Sequence, residues 1–228
     1  MTYISDSAIS KARIALGVSL AVLGALTTSA LLYYAVPSLT AAISLFPLYS
    51  EQVGIDVYGA VFPILLSIGF LFVIIRSRNT VMRKILFQDR FFWALVLILT
   101  LVALALFGLV QTTSGALTLP PVLAAGFATF GAFVGIGYGW KRQNIPVVGR
   151  ACELYACGVF AMFFSDLVRT FTGWSQAPGQ ALVWGAGGTH DLVLWFGFYL
   201  AFSNAAYDVV ITKLAGRLLP TNRPRGQY

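Results

Sequence analysis

Eight acidic residues among 228 leave few carboxylates for chemistry, and two of them fall where a carboxylate is costly. Asp166 stands in Phe163-Phe164-Ser165-Asp166-Leu167, about two turns before the end of an apolar stretch. Asp191 opens another such stretch, directly after Gly185-Ala186-Gly187-Gly188-Thr189-His190. Ionisable side chains inside a membrane-crossing stretch are rare and mark function. Two carboxylates brought close can share one proton, because like charges resist double ionisation. One then acts as general base on water while the other donates a proton. Gly187 and Gly188 allow close backbone approach and an irregular segment where water enters. The expected chemistry is that of an intramembrane aspartyl peptidase, with Asp166 and Asp191 as the catalytic pair and Gly187, Gly188, His190 and Arg169 in support. A structural alternative uses the same residues. Asp191 would cap a helix N-terminus, and Asp166 would pair with Arg169 three positions on. Arg169 could equally hold an anionic substrate group or snorkel toward headgroups.

The remaining polar residues divide between a second function and plain packing. Asp56, with Glu51 before it, joins Asp166 and Asp191 in an acidic cluster on one side, which would suit a cation or solute pathway with an outward vestibule. His190 is the single histidine and, with two cysteines, offers no metal-ligand spacing, so neither a metal nor a cofactor is expected. Cys152 and Cys157 lie five apart, on different helix faces, and read as small buried residues. Glu153 is expected to pair with Arg150 or a neighbouring base, and Asp208, after Tyr207, with Lys213 or Lys141. Asp191 and Asp208 are 17 residues apart, ~25 Å along a helix, and cannot act together.

Elements of one kind must position all of these. The chain is 58% hydrophobic and only 10% charged, too little polar surface to solvate a particle of this size. Cut at charges and Pro/Gly clusters, it yields six apolar stretches: 14–36, 57–75, 91–111, 119–140, 151–172 and 191–212. Each is near the ~20 residues that cross about 30 Å of hydrocarbon as a helix. Uniform rather than alternating apolarity argues against strands. The expected fold is all-α, a single polytopic transmembrane domain of about six helices. The first stretch is too long for the apolar core of a cleaved leader and reads as a signal anchor. Pro63 and Gly69 predict a kinked second span beginning at Asp56. Gly131, Gly135 and Gly139, at four-residue intervals, give the fourth span a smooth face for close helix contact. Between spans one and two, 37–55 reads as a short outer loop with an interfacial helix over 41–49.

Net charge is +7, but its placement excludes a nucleic-acid reading. Lys11 and Arg13, the group from Arg76 to Arg90, Lys141, Arg142 and Arg150, and the basic tail 213–228 put all basic residues but Arg169 on one side. Excess Lys and Arg mark the cytoplasmic side, so both termini are expected inside and the cell membrane is the expected location. The lipid bilayer is the expected partner, along with transmembrane peptide substrates or other membrane subunits. A non-catalytic structural subunit of a membrane complex is the remaining alternative.

Three segments carry a family resemblance: Gly59-Ala60-Val61-Phe62-Pro63-Ile64-Leu65-Leu66-Ser67, Ser165-Asp166-Leu167 and Gly185-Ala186-Gly187-Gly188-Thr189-His190-Asp191. In this order, over about residues 54–203, the chain resembles an uncharacterised family of prokaryotic membrane proteins, domain-of-unknown-function family 1614, which implies no activity. An aspartate followed by a Gly-rich aspartate motif is also similar to presenilin and signal-peptide-peptidase proteases. That likeness implies roles for Asp166 and Asp191 as an aspartyl dyad. Gly188 matches the first glycine of the motif, whereas His190 stands where the second would be and Ser165 where a tyrosine would be. No Pro-Ala-Leu motif follows, and six spans fall short of nine. Reporters fused to either terminus are expected to be active only in forms that work in the cytoplasm; activity of a periplasm-dependent reporter at either end overturns the orientation.

Overall fold

The computed structural model describes residues 6–35, 37, 39–48, 51–76, 90–114, 121–142, 145–172, 182–185 and 191–209. Helices form over the apolar stretches: α1 (Asp6–Ala35), α2 (Phe62–Arg76), α3 (Arg90–Ser114), α4 (Pro121–Lys141), α5 (Val147–Thr172) and α6 (Leu192–Val209). Among the described residues, three segments are long and apolar enough to cross a membrane: 57–76, α5 and α6. Large apolar side chains point outward from most helices. Leu65, Phe72 and Val73 of α2, Leu97 and Leu101 of α3, Phe133 of α4 and Phe171 of α5 are all exposed. Such a continuous apolar exterior is what lipid covers and water does not. The basic tail 213–228 lies outside the described residues.

The fold is not purely helical. Residues 41–49, expected as an interfacial helix, instead supply strand β1 (Ala42–Leu48), which pairs antiparallel with β2 (Glu51–Asp56). Pro47 explains the difference: inside a helix it removes a backbone hydrogen bond, whereas an edge strand tolerates it. The register runs from Ala42 opposite Asp56 to Leu48 opposite Glu51, with an irregularity between Ser44 and Phe46. A third strand, β3 (Leu182–Trp184), pairs parallel with β2, so the sheet order is β1-β2-β3.

After β2 the chain enters a wide π-helical turn, Val57–Val61, before α2 begins. The predicted kink therefore lies at the junction with Pro63. Proline in the first turn needs no intrahelical N–H partner. Ser67 Oγ donates to the Pro63 carbonyl at 2.9 Å.

The glycine face of α4 packs as its spacing predicts, and its partner is α6. A Cβ on Gly131 would lie 3.1 Å from Cβ of Tyr199, and one on Gly135 would collide with the Leu200 carbonyl oxygen. One on Gly139 would meet the Asn204 amide. An adjoining strip of α6 meets α5 through a second glycine pair. A Cβ on Gly158 would fall 2.5 Å from Gly197 Cα, and one on Gly197 would fall 2.5 Å from the Tyr155 carbonyl oxygen. Helix α6 thus packs against both α4 and α5 with backbone close to backbone. Helices α2 and α3 pack on α5, and α1 on α4 and α6. Thr100 ties α3 to α5, donating to the carbonyls of Val96 at 2.8 Å and Ala161 at 3.3 Å.

Gly158→Val and Gly135→Leu are expected to destabilise the fold by about 1–3 kcal/mol or more, through overfilling of a backbone contact. Gly137→Ala, whose Cβ would meet nothing within 4 Å, serves as the neutral control. Thermal unfolding in detergent and in lipid reads both; unchanged midpoints for the first two variants contradict the packing.

Candidate functional site

The three segments singled out in the sequence converge at the end of the helix bundle that carries the sheet. Asp56 begins the arrangement. Its Oδ1 accepts the backbone N–H groups of Tyr58 (2.9 Å) and Gly59 (2.8 Å), and its Oδ2 accepts that of Ala41 (2.6 Å). A turn of π geometry leaves its first N–H groups without intrahelical partners, and the carboxylate supplies them. Asp56 is 1% exposed. It therefore does not line an outward acidic vestibule, because burial and three backbone donors occupy it fully. That part of the cation-pathway reading is corrected.

The π turn receives the end of β3. Gly185 has φ +71°, and a Cβ there would lie 2.6 Å from the Gly59 carbonyl carbon and 2.7 Å from Ala60 N. Both the left-handed backbone and the close approach exclude a side chain. Trp184 fixes the strand to α5: its Nε1–H donates to Thr170 Oγ1 at 2.9 Å. Its ring meets Phe163 and Phe46 edge-on at 5.7 and 6.3 Å. Held this way, Gly185 N–H donates to Asp166 Oδ2 at 3.3 Å.

Asp166 has two further charged neighbours. Arg169 Nη1 lies 3.7 Å from its Oδ1, the i,i+3 pairing expected of the structural alternative. Asp191, at the start of α6, is close enough for its charge to act on Asp166. Asp191 Oδ1 also accepts the Val193 N–H at 2.8 Å, which makes it the N-cap of α6. Both structural roles are thus present. Gly187, Gly188 and His190 lie outside the described residues. Among the described residues no cluster of His, Cys, Asp and Glu could hold a metal ion.

At the opposite end of the bundle the pairings differ from those expected. Arg150 is buried in the first turn of α5, rather than flanking a span in water. Its Nη1 donates to the Gly139 carbonyl at 2.9 Å, and its Nη2 meets Asp208 Oδ1 at 2.8 Å. Asp208 therefore pairs with Arg150 and not with Lys141, and Lys213 lies outside the described residues. Tyr207 OH accepts the Trp140 Nε1–H at 2.6 Å. Asn204 Nδ2 donates to the Gly135 carbonyl at 2.9 Å, across the glycine seam. Glu153 makes no hydrogen bond with Arg150, and the neighbouring base whose charge acts on it is Arg142. The signal available was its position: an acid inside an apolar helix, one turn after the arginine that α6 takes.

The chain was compared with family models, curated proteins and solved structures, and it matches none of them.

Replacing Asp56 with Ala is expected to cost about 2–3 kcal/mol, since a cap is lost and backbone N–H groups are left buried without acceptors. Asp56→Asn, which keeps one acceptor oxygen, should cost less. Equal stability of the two variants in chemical denaturation would contradict the capping role.

Proposed function

We propose that the chain is a six-span protein of the cell membrane, with both termini cytoplasmic, and that Asp166 and Asp191 form the acid–base pair of a presenilin-like intramembrane aspartyl peptidase. The observation that carries this reading is the placement of two carboxylates at the same end of two packed helices, Asp166 against the Gly185 N–H and Asp191 at the N-cap of α6. They lie where non-helical backbone, the π turn and the β3–Gly185 segment, reaches the bundle. Substrates would be transmembrane peptides arriving through the lipid bilayer.

The neighbours of each aspartate suggest its role. Arg169 and the Gly185 N–H, both of which can hold a carboxylate in place, lie against Asp166. Asp166 is then the base and Asp191 the acid. Asp166 removes a proton from water as the water oxygen bonds to the scissile carbonyl carbon, and Asp191 protonates the carbonyl oxygen, giving a neutral gem-diol. Asp166 next passes its proton to the amide nitrogen as the C–N bond breaks. Asp191 recovers a proton from one diol hydroxyl, which becomes the carbonyl of the new acid. Both side chains return to their starting states.

A structural role is the second reading, favoured by the Asp166–Arg169 pair and by the Asp191 cap. It fits a non-catalytic subunit of a membrane complex. Two measurements separate the readings. In infrared titration, Asp191→Asn should move the carboxyl titration of Asp166 if the site is shared. A peptide isostere with a tetrahedral hydroxyl-bearing carbon should bind the wild type and bind Asp166→Asn and Asp191→Asn at least about 100-fold more weakly. Independent titrations and unchanged isostere binding would leave only the structural role.

A further inference from the structure

The second buried carboxylate of α5 stands apart from the aspartate pair. Glu153 is 1% exposed, and neither of its oxygens has a hydrogen-bond partner among the described residues. Thirteen residues separate it from Asp166 on the same helix, ~20 Å along the axis. The Tyr138 hydroxyl of α4 faces it, and that hydroxyl is also buried without reaching hydrogen-bond geometry.

The charges around Glu153 come from few places. On α4 they are Tyr138 and, just beyond its end, Arg142, whose positive charge reaches the carboxylate. On α5 itself they are Arg150 and Cys157. Helix α6 contributes Tyr207 and Asp208, and Asp208 is engaged by Arg150. The basic residues at the near ends of α2 and α3, Arg76 and Arg90, are exposed, and the rest of both helices carries no charge. Lys141 and Arg142 both lie over the Phe91 ring, at 4.9 and 5.0 Å.

An ionised carboxylate at this depth needs donors on its oxygens or a bound counter-charge. The Tyr138 phenol faces it, without reaching hydrogen-bond geometry. Two guanidinium groups beside the site disfavour a metal cation, so the cation that fits is the smallest one. We infer that Glu153 is a proton-binding site, held as the neutral carboxylic acid opposite the Tyr138 hydroxyl, in the half of the bundle away from the sheet. Arg142 is the group positioned to stabilise the carboxylate when the proton leaves.

The chain contains only two glutamates, Glu51 and Glu153, which makes the test specific. In a Glu51→Gln background, 13C-glutamate labelling marks the Glu153 carboxyl alone, and the residue under test stays in place. Isotope-edited infrared spectra of the full chain in lipid should show a protonated carboxyl band at neutral pH that converts to carboxylate bands as the pH is raised. Tyr138→Phe should shift the frequency of that band, because its hydroxyl partner is gone. Carboxylate bands at neutral pH would overturn the inference. So would a change in the labelled bands on adding Na+ at constant pH, which would mean a metal cation occupies the site. An unshifted band in Tyr138→Phe would remove Tyr138 as the partner.

Discussion

The close approach of α6 to both α4 and α5 sets the geometry of everything else. Gly135 and Gly139 on α4, and the Gly158–Gly197 pair between α5 and α6, leave no room for side chains between backbones. Apolar surroundings give helices little hydrophobic reason to associate, so packing of this kind and buried polar contacts must hold them. Asn204, which donates to the Gly135 carbonyl, provides such a contact within the seam itself. With α6 fixed in depth and rotation, its N-cap, Asp191, comes to the end of the bundle that holds Asp166, and its penultimate residue, Asp208, to Arg150.

The two ends of α5 use that placement differently. Arg150 reaches across to Asp208 and to the last turn of α4, which joins three helices through one buried guanidinium. Removing one member of such a pair leaves a charge unpaired in an apolar interior, at a cost of about 3–5 kcal/mol. Asp166 and Arg169 pair within one helix at a longer 3.7 Å, a contact that does not join helices. Arg150 and Asp208, by contrast, join separate helices.

Irregular backbone inside an apolar bundle needs a partner for every peptide group. The sheet, the Ala41 carbonyl that accepts the Val57 N–H, and the Asp56 carboxylate meet that need around the π turn. Asp56 is thereby a building element, and its cost in burial is offset by three backbone donors. The result is a rigid non-helical platform against which Gly185 rests, one residue after the tryptophan that fixes β3 to α5.

What could be read from the sequence was whatever depends on local composition. Runs of about 20 apolar residues placed most helix ends to within about five residues, although α1 begins eight residues before its run, Gly131-x-x-x-Gly135-x-x-x-Gly139 identified a packing face, and the position of Asp191 after a glycine-rich stretch offered the helix cap as a structural alternative. Each of these rests on a preference of the chain near its own neighbours. The strand β1 was missed because its pairing with β2 and β3 is long-range, and only Pro47 hinted against a helix. Gly158 and Gly197 have no spacing pattern of their own; their meaning arises from lying opposite each other. The pairing of Arg150 with Asp208 was not foreseen for the same reason. Charge type is written in the sequence, but which charges meet is decided by the rotation of α6 against α4 and α5, and backbone contacts between helices set that rotation.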